Sequence, residues 1–180
     1  GALAEYYSGQ QAFVWVTDGK PNARAEEAMR VLSEADAYAL SPGDYAVEKP
    51  AFDADAAALM RFEMALSARV LRYVRDAQGG RIDPNRISGY YDFPPKPLDY
   101  AAELDTLSHV GDVRAHLESR HPQNPQYQAL KADLALLRQS VGDEVAIDPR
   151  LHLKPGETCP EFPKLTRLIA SRLDDETGGE

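Results

Sequence analysis

The sequence is short of the residue types from which most metal sites and disulfide frameworks are built. It has a single cysteine, Cys159, so no internal disulfide can form. Its four histidines do not stand at helical ligand spacing with a carboxylate, and a second cysteine ligand is lacking. We therefore predict no metal site. The histidines are His109, His116, His121 and His152.

Motifs of nucleophilic and phosphate-binding enzymes are also missing. No serine stands in a Gly-x-Ser-x-Gly elbow, Cys159 lacks a preceding Ser-x-Gly, and Gly79-Gly80 has no lysine-serine pair after it. No apolar run is long enough to cross a bilayer. The formal net charge of −9 argues against nucleic acid as a partner, because nucleic-acid binders need a concentrated basic face. The residues alone describe a non-catalytic module without a transmembrane segment.

Apolar residues recur at helical spacing over much of the chain. The longest such segment, residues 53–80, is predicted to be a central helix wrapped by others, capped by Asp53 or Asp55 and ended at Gly79-Gly80. One apolar stripe consists of Leu59, Phe62, Leu66, Val70 and Tyr73, and the other of Met60, Met64, Ser67, Leu71 and Val74. The face left for water or a polar partner carries Arg61, Glu63, Arg69, Arg72 and Arg75.

Residues that favour helix N-termini predict where the other helices begin. Residues 3–11 could form a short helix, and the apolar run 12–16 permits an extended segment. The fold class predicted is mainly all-α, a helical bundle around the long central helix, with a short extended linker segment and a last helix near the C-terminus. The remaining helices are expected from Asn22 to about Tyr38, Asp99 to about Ser108, Asp112 to about Ser119, Asn124-Pro125 to Gly142 with the stripe Tyr127, Leu130, Leu134, Leu137 and Val141, and Pro160 to about Leu173.

A long connection dense in proline and aromatic residues, 81–97, follows the central helix. Together with Trp15, its aromatic rings could offer flat faces to sugar or peptide groups, and its basic residues could bind carboxylates. Alternatively, the aromatic residues fasten the loop onto the central helix. Both interpretations stay open. The residues concerned are Tyr90, Tyr91 and Phe93, with Arg81, Arg86 and Lys96.

The order of these pieces resembles the scaffold region of the large, multi-domain L,D-transpeptidases of Gram-negative bacteria, which cross-link peptidoglycan. Tyr6-Tyr7 followed by Phe13-Val14-Trp15-Val16 is similar to the family's aromatic helix and its Trp-containing segment. The passage ADAYALSPGDY, ending at Tyr45, resembles Gly-Leu-x-Pro-x-x-Tyr, with Ala39 in place of the usual glycine. LRYVRDAQGGRIDP matches a Tyr-x-x-Asp…Gly-Arg-x-Asp-Pro block, and HPQNPQYQAL the His-Pro…Tyr-x-x-Leu start of the last scaffold helix.

The resemblance covers about residues 3–141 and implies a division of the chain. Residues 1–143 would form the helical scaffold domain, and 144–180 a linker, the beginning of a truncated peptidoglycan-binding-like domain and an acidic tail. LKPGETCPEFPKLTRLIASRL is similar to the lead-in and first helix of that small domain. The catalytic domain with its His and Ser-x-Gly-Cys motifs is absent, and Cys159 matches no catalytic motif. The chain also opens without methionine and looks like an excised or processed form.

The resemblance implies that this chain is the non-catalytic scaffold of a larger parent protein, a periplasmic acyltransferase. A segment upstream of the chain could anchor that parent to the inner membrane. It implies no cofactor, because these enzymes use a cysteine thiolate. The expected partners are peptidoglycan or its stem peptides, held weakly, and the parent's catalytic and peptidoglycan-binding domains. The alternative is a free-standing helical module that binds an envelope protein or a glycan through Trp15 and the Tyr90-Tyr91 loop. The candidate contact residues are Trp15, Arg81, Asp83, Tyr90, Tyr91, His121 and Tyr127.

Overall fold

A computed structural model describes residues 2–9, 13–82, 97–141, 159, 161–164 and 166. This part of the chain is mainly helical, which confirms the predicted fold class. The chain divides into two compact units, 1–131 and 132–180, and the core lies in the first. The predicted domain boundary at residue 143 stays a prediction. The α-helices are α1 (Ala2–Gly9), α2 (Ala23–Ser33), α3 (Ala56–Gly79), α4 (Tyr100–His109), α5 (Val113–Ser119) and α6 (Pro125–Val141), with strands β1 (Val16–Thr17) and β2 (Lys20–Pro21) and 3-10 helices at Ala35–Tyr38 and Pro42–Asp44.

Polar side chains cap the helices where the sequence predicted. The Oδ1 atom of Asn22 accepts from the main-chain N–H of Ala25 at 3.0 Å, and that of Asp55 accepts from Ala58 at 2.7 Å. Such a bond satisfies one of the four N–H groups that a helix leaves without an internal partner. The other caps are Asp99 for α4, Asp112 for α5 and Asn124 for α6.

Helix α3 is the centre of the core, and α1, α2 and α4 pack against it. Its first predicted stripe is buried, with Leu66, Val70 and Tyr73 completely enclosed. Burying a large apolar side chain contributes about 1.5–3 kcal/mol, so this stripe is a main source of stability. Helix α5 packs on α2 in turn.

Two residues of α3 lie opposite to their predicted positions. Met60, assigned to the second stripe, is 53% exposed, whereas Glu63, assigned to the polar face, is fully buried. The reason is helical geometry, because Glu63 lies one turn after Leu59 and one turn before Ser67, and both of these are buried. Polarity alone placed Glu63 outside, and its hydrogen-bond partners keep it inside.

Helix α6 begins as predicted, but its apolar stripe is not buried. Leu130 is 68% exposed and Leu137 is 62% exposed. Of the last predicted helix only residues 161–164 and 166 are described, and the predicted extended linker segment lies outside the described residues. Periodicity therefore predicted the conformation of α6 correctly, but not its environment.

A two-residue hairpin connects the Trp15 segment to α2. Thr17 pairs with Lys20, and the turn residues Asp18 and Gly19 both have positive φ, 52° and 72°. Asp-Gly favours this turn, because its backbone twist matches that of the paired strands. Of the segment 12–16 that the sequence permitted to be extended, only Val16 lies in a strand.

Helix α2 ends earlier than predicted, at Ser33 and not near Tyr38. A 3-10 helix occupies Ala35–Tyr38, and Ala39 follows in the left-handed region with φ 58° and ψ 20°. The main-chain N–H of Ala39 donates to the main-chain carbonyl oxygen of Asp36 at 2.9 Å, so the left-handed residue closes the turn. A Cβ atom in this conformation costs about 1–2 kcal/mol. The backbone at Ala39 is thus strained.

We predict that Ala39→Gly raises the free energy of unfolding by about 1 kcal/mol, because glycine adopts positive φ without the steric penalty. Urea denaturation followed by circular dichroism measures the change. Ala37→Gly, at an exposed position of the 3-10 helix that precedes Ala39 and without positive φ, is the matched control and should lose about 0.5–1 kcal/mol. Equal destabilisation by both variants would contradict the prediction.

Candidate functional site

The carboxylate of Glu63 binds the segment that precedes β1. Its Oε1 atom accepts from the main-chain N–H of Val14 and from the Tyr7 hydroxyl, each at 2.6 Å. Its Oε2 atom accepts from the main-chain N–H of Trp15 at 2.9 Å. The indole N–H of Trp15 donates to Oγ of Ser67 at 2.8 Å, and the Tyr7 hydroxyl lies 2.7 Å from the same oxygen. We call these five residues the Glu63 cluster.

The Glu63 cluster is closed to a ligand, since Trp15, Glu63 and Ser67 are fully buried. Burial raises the pKa of Glu63, and hydrogen bonds from Tyr7 and from main-chain N–H groups oppose this rise. Burial also raises the pKa of Tyr7, and its hydrogen bond to Glu63 adds to this effect. Both oxygens of the carboxylate already accept hydrogen bonds, so the arrangement holds a backbone segment and leaves no place for a substrate.

Trp15 therefore lies in the core and offers no ring face to a partner in this structure. The sequence drew attention to Trp15 but missed Glu63 and Ser67, which hold it. The available signal was their spacing, since both fall at the helical period of the buried stripe of α3.

Arg81, another candidate contact residue, forms an ion pair with Asp44. Its Nη1 atom lies 2.7 Å from Oδ2 of Asp44, and Arg72 approaches the other carboxylate oxygen at 3.5 Å. Asp44 belongs to the 3-10 helix Pro42–Asp44, which is thereby joined to the C-terminal end of α3. Each of these side chains is about one-third exposed, so their pairing contributes little individually.

The neighbouring residue Tyr45 joins the same two elements from inside the core. Its hydroxyl donates to Oδ2 of Asp76 at 2.9 Å, and Arg75 donates to Oδ1 of Asp76 at 2.8 Å. Tyr45 and Asp76 are both buried, and burial, followed by the hydrogen bond to Asp76, raises the pKa of Tyr45. The tyrosine therefore stays protonated and acts as a donor. Three other candidates, Asp83, Tyr90 and Tyr91, lie outside the described residues, and their roles stay predictions.

The last two candidate residues, His121 and Tyr127, lie together. The Tyr127 hydroxyl is 3.1 Å from Nδ1 of His121, and the Tyr73 hydroxyl is 2.7 Å from Nε2. The Tyr38 ring stacks on the imidazole with centroids 3.8 Å apart and an angle of 11° between the planes. His121 is buried, and burial, followed by the positive charge of Lys131, lowers its pKa to about 4. The imidazole is neutral at pH 7, and both of its nitrogens already have partners.

An open pocket of about 340 Å³ lies beside this imidazole. Tyr38 and His121 form part of its wall, and the ammonium of Lys131 lies 3.9 Å from the centre of the Tyr38 ring. Sequence reasoning found His121 through the His-Pro motif but missed Tyr38 and Lys131, which come from different segments. The wall also contains the polar side chains of Glu118, Gln123 and Gln128.

Over the described ranges, no group of three His, Cys, Asp or Glu residues is placed to hold a metal ion. Within the same ranges, no helix has both the length and the apolar character needed to span a membrane. Cys159 is partly exposed.

The buried acid Glu103 accepts from His116 at 2.8 Å and from Arg120 at 2.6 Å, which joins α4 to α5.

We predict that Glu63→Gln lowers the free energy of unfolding by about 2–4 kcal/mol. The substitution keeps the shape of the side chain but turns one acceptor into a donor that faces N–H or O–H donors. Chemical denaturation measures the loss, and Glu48→Gln, on an exposed carboxylate, is the control and should change stability by less than about 0.5 kcal/mol. A variant as stable as the native chain would show that the carboxylate does not hold the segment.

We predict that stability falls as the pH is lowered from about 7 to about 4 because of His121. The unfolded chain takes up a proton on this residue near pH 6.5, whereas the folded chain does so only near its pKa of about 4. Protons therefore favour the unfolded state in this interval, by up to about 3 kcal/mol. Denaturation at pH 7, 6 and 5 measures the slope.

His121→Gln should reduce that slope, and His109→Gln, on a side chain that is 78% exposed, should leave it unchanged. NMR titration of the imidazole provides a direct reading of the pKa of His121. A midpoint near 6.5 for His121 in the folded protein would contradict the prediction.

Comparison with known protein families finds a match for this chain. Neither a curated protein nor a solved structure matches the chain. A family model described as the Scaffold domain matches residues 1–134, which include the Glu63 cluster and the pocket beside His121. Because that match covers most of the 180 residues, the chain belongs to the Scaffold domain family.

Proposed function

We propose that this chain is the non-catalytic scaffold of a periplasmic L,D-transpeptidase that cross-links peptidoglycan. Its task is to position the catalytic and peptidoglycan-binding domains of the parent protein and to share weakly in holding the substrate. Membership of the Scaffold domain family supports the scaffold role. The four motif blocks described in the sequence support the transpeptidase context.

The observation that carries the proposal is that all four motif blocks make polar contacts at α3 or at its C-terminal end. Three of them supply a side chain or main-chain group that binds a polar residue of α3, and the block that contains the end of α3 supplies Arg81, which binds Asp44 of the neighbouring 3-10 helix. Polar groups engaged in this way fix the backbone and are not available for chemistry. The contacts are Trp15 with Glu63 and Ser67, Tyr45 with Asp76, Arg81 with Asp44 beside Arg72, and His121 with Tyr73.

The buried acids of the described residues fit this view. Glu63, Asp76 and Glu103 each accept at least two hydrogen bonds from the protein. A general acid or base needs a proton-transfer path to a substrate within hydrogen-bond reach, and these carboxylates are enclosed. Their arrangement is that of structural groups.

We expect the purified chain to form no cross-links when incubated with muropeptides that carry tetrapeptide stems. We also expect intact-mass spectrometry to find no carbapenem adduct on Cys159, because this cysteine lacks the Ser-x-Gly-Cys context. Cross-linked dimers or an acylated Cys159 would overturn the proposal. Sequencing of the coding region that follows Glu180 tests the context, and we expect a Ser-x-Gly-Cys motif there.

The alternative, a free-standing glycan-binding or envelope-interaction module, has less support. Trp15 is buried, so this alternative depends on Tyr90 and Tyr91, which lie outside the described residues. Retention on purified sacculi, compared with the Tyr90→Ala and Tyr91→Ala variants, separates the two functions. Strong retention that both variants abolish would favour the binding module.

A further inference from the structure

We propose that the pocket beside His121 binds a peptide that ends in a free carboxylate. In the context of the proposed function, on which the source of the peptide rests, this ligand is a stem peptide of peptidoglycan. The pocket would then provide the scaffold's share in holding the substrate. The pocket offers a cation, two amide acceptors and a wall held by hydrogen bonds and ring stacking.

Lys131 supplies the cation. Its ammonium lies over the face of the Tyr38 ring, 3.9 Å from the centroid, and within the described part of the chain it has no carboxylate within 4 Å. A cation–π contact orients an ammonium without neutralising its charge. The ammonium at the pocket is therefore available to a carboxylate, which forms stronger hydrogen bonds with it than a neutral acceptor does.

Gln123 and Gln128 supply acceptors for N–H groups of the ligand. The Nε2 atom of Gln123 donates to the carbonyl oxygen of His121 at 2.8 Å, and that of Gln128 donates to the carbonyl oxygen of Pro122 at 3.2 Å. These bonds orient the two amides, and among the described residues neither side-chain oxygen has a donor. Main-chain N–H groups are the donors that a peptide offers next to its terminal carboxylate.

Glu118 distinguishes a peptide from a more highly charged anion. Its carboxylate lines the same pocket and is bound weakly by Arg114, at 3.3 Å. A polyanion would be repelled by this carboxylate, whereas a peptide that carries an ammonium as well as a carboxylate would find a partner at each end. The lining thus favours a zwitterionic peptide.

Hydrogen bonds and ring stacking within the protein hold the wall at His121. His121 is held by Tyr73 and Tyr127 and is covered by the stacked Tyr38 ring, as described above. A site whose groups are fixed in advance loses less conformational entropy on binding. The imidazole therefore acts as a positioning residue for Tyr38 and Lys131, and the lysine and the two amides would touch the peptide.

The test is NMR titration of the full chain, labelled with ¹⁵N, with Nα-acetyl-lysyl-D-alanine and with the same peptide amidated at its C-terminus. We expect the free acid to shift the side-chain N–H signals of Gln123 and Gln128 in a saturable manner at millimolar concentrations. The amidated peptide should bind about tenfold more weakly, because it cannot form the ion pair with Lys131.

Lys131→Met should weaken binding of the acid about tenfold and bring it to the level of the amidated peptide. The matched control is Lys49→Met, on an exposed lysine that is paired with Glu26 and does not line the pocket, and it should bind as the native chain does. Binding that is absent, equal for acid and amide, or unchanged by Lys131→Met would overturn the assignment.

A version of the peptide that ends in L-alanine separates the two sources of such a ligand. Preference for D-alanine supports a stem peptide, whereas preference for L-alanine or equal binding overturns that source and leaves a site for peptide C-termini in general. The scaffold proposal is judged separately, by the cross-linking assay and the coding region after Glu180. Failure of the titration therefore does not imply failure of the proposed function.

Discussion

The buried carboxylate of Glu63 is the constraint on which the rest of the fold depends. Removing an ionised carboxylate from water costs several kcal/mol unless donors replace the lost solvent. Here the donors are the Tyr7 hydroxyl and the main-chain N–H groups of Val14 and Trp15. The carboxylate in return satisfies two buried N–H groups. Because the buried carboxylate needs these donors and the donors need an acceptor, their hydrogen bonds fix where the Trp15 segment lies on α3.

The same device recurs along α3. Its buried face carries Glu63, Ser67, Tyr73 and Asp76 among apolar residues, and each binds a group from another segment. Apolar packing by itself tolerates sliding and rotation of neighbouring elements, whereas a buried polar group is satisfied in one arrangement only. These four positions therefore fix the register of the surrounding segments. A frame with so many fixed points suits a domain whose proposed task is to position others.

The pocket beside His121 is connected to α3 through hydrogen bonding and ring stacking. Tyr73 of α3 holds one nitrogen of the imidazole, and the stacked Tyr38 supports the ammonium of Lys131 above it. Each residue nearer the solvent is placed by one nearer the core. Tyr73 and His121, nearer the core, make their hydrogen bonds within the protein. Lys131 and the two glutamines, nearer the solvent, offer a positive charge and amide oxygen acceptors, so the proposed binding groups lie at the outer end of the network.

The sequence by itself determined where most of the described helices begin, since apolar periodicity and capping side chains such as Asn22 and Asp55 are local signals. It also drew attention to His121 and Tyr127, because they share one short motif. Only the tertiary structure decided which donors surround Glu63, that Trp15 belongs to the core and that Leu130 of α6 is exposed. It alone brought Tyr38 and Lys131 together at one pocket. The physical reason is that burial of a polar or apolar side chain depends on partners distant in sequence, and no local pattern encodes which partners those are.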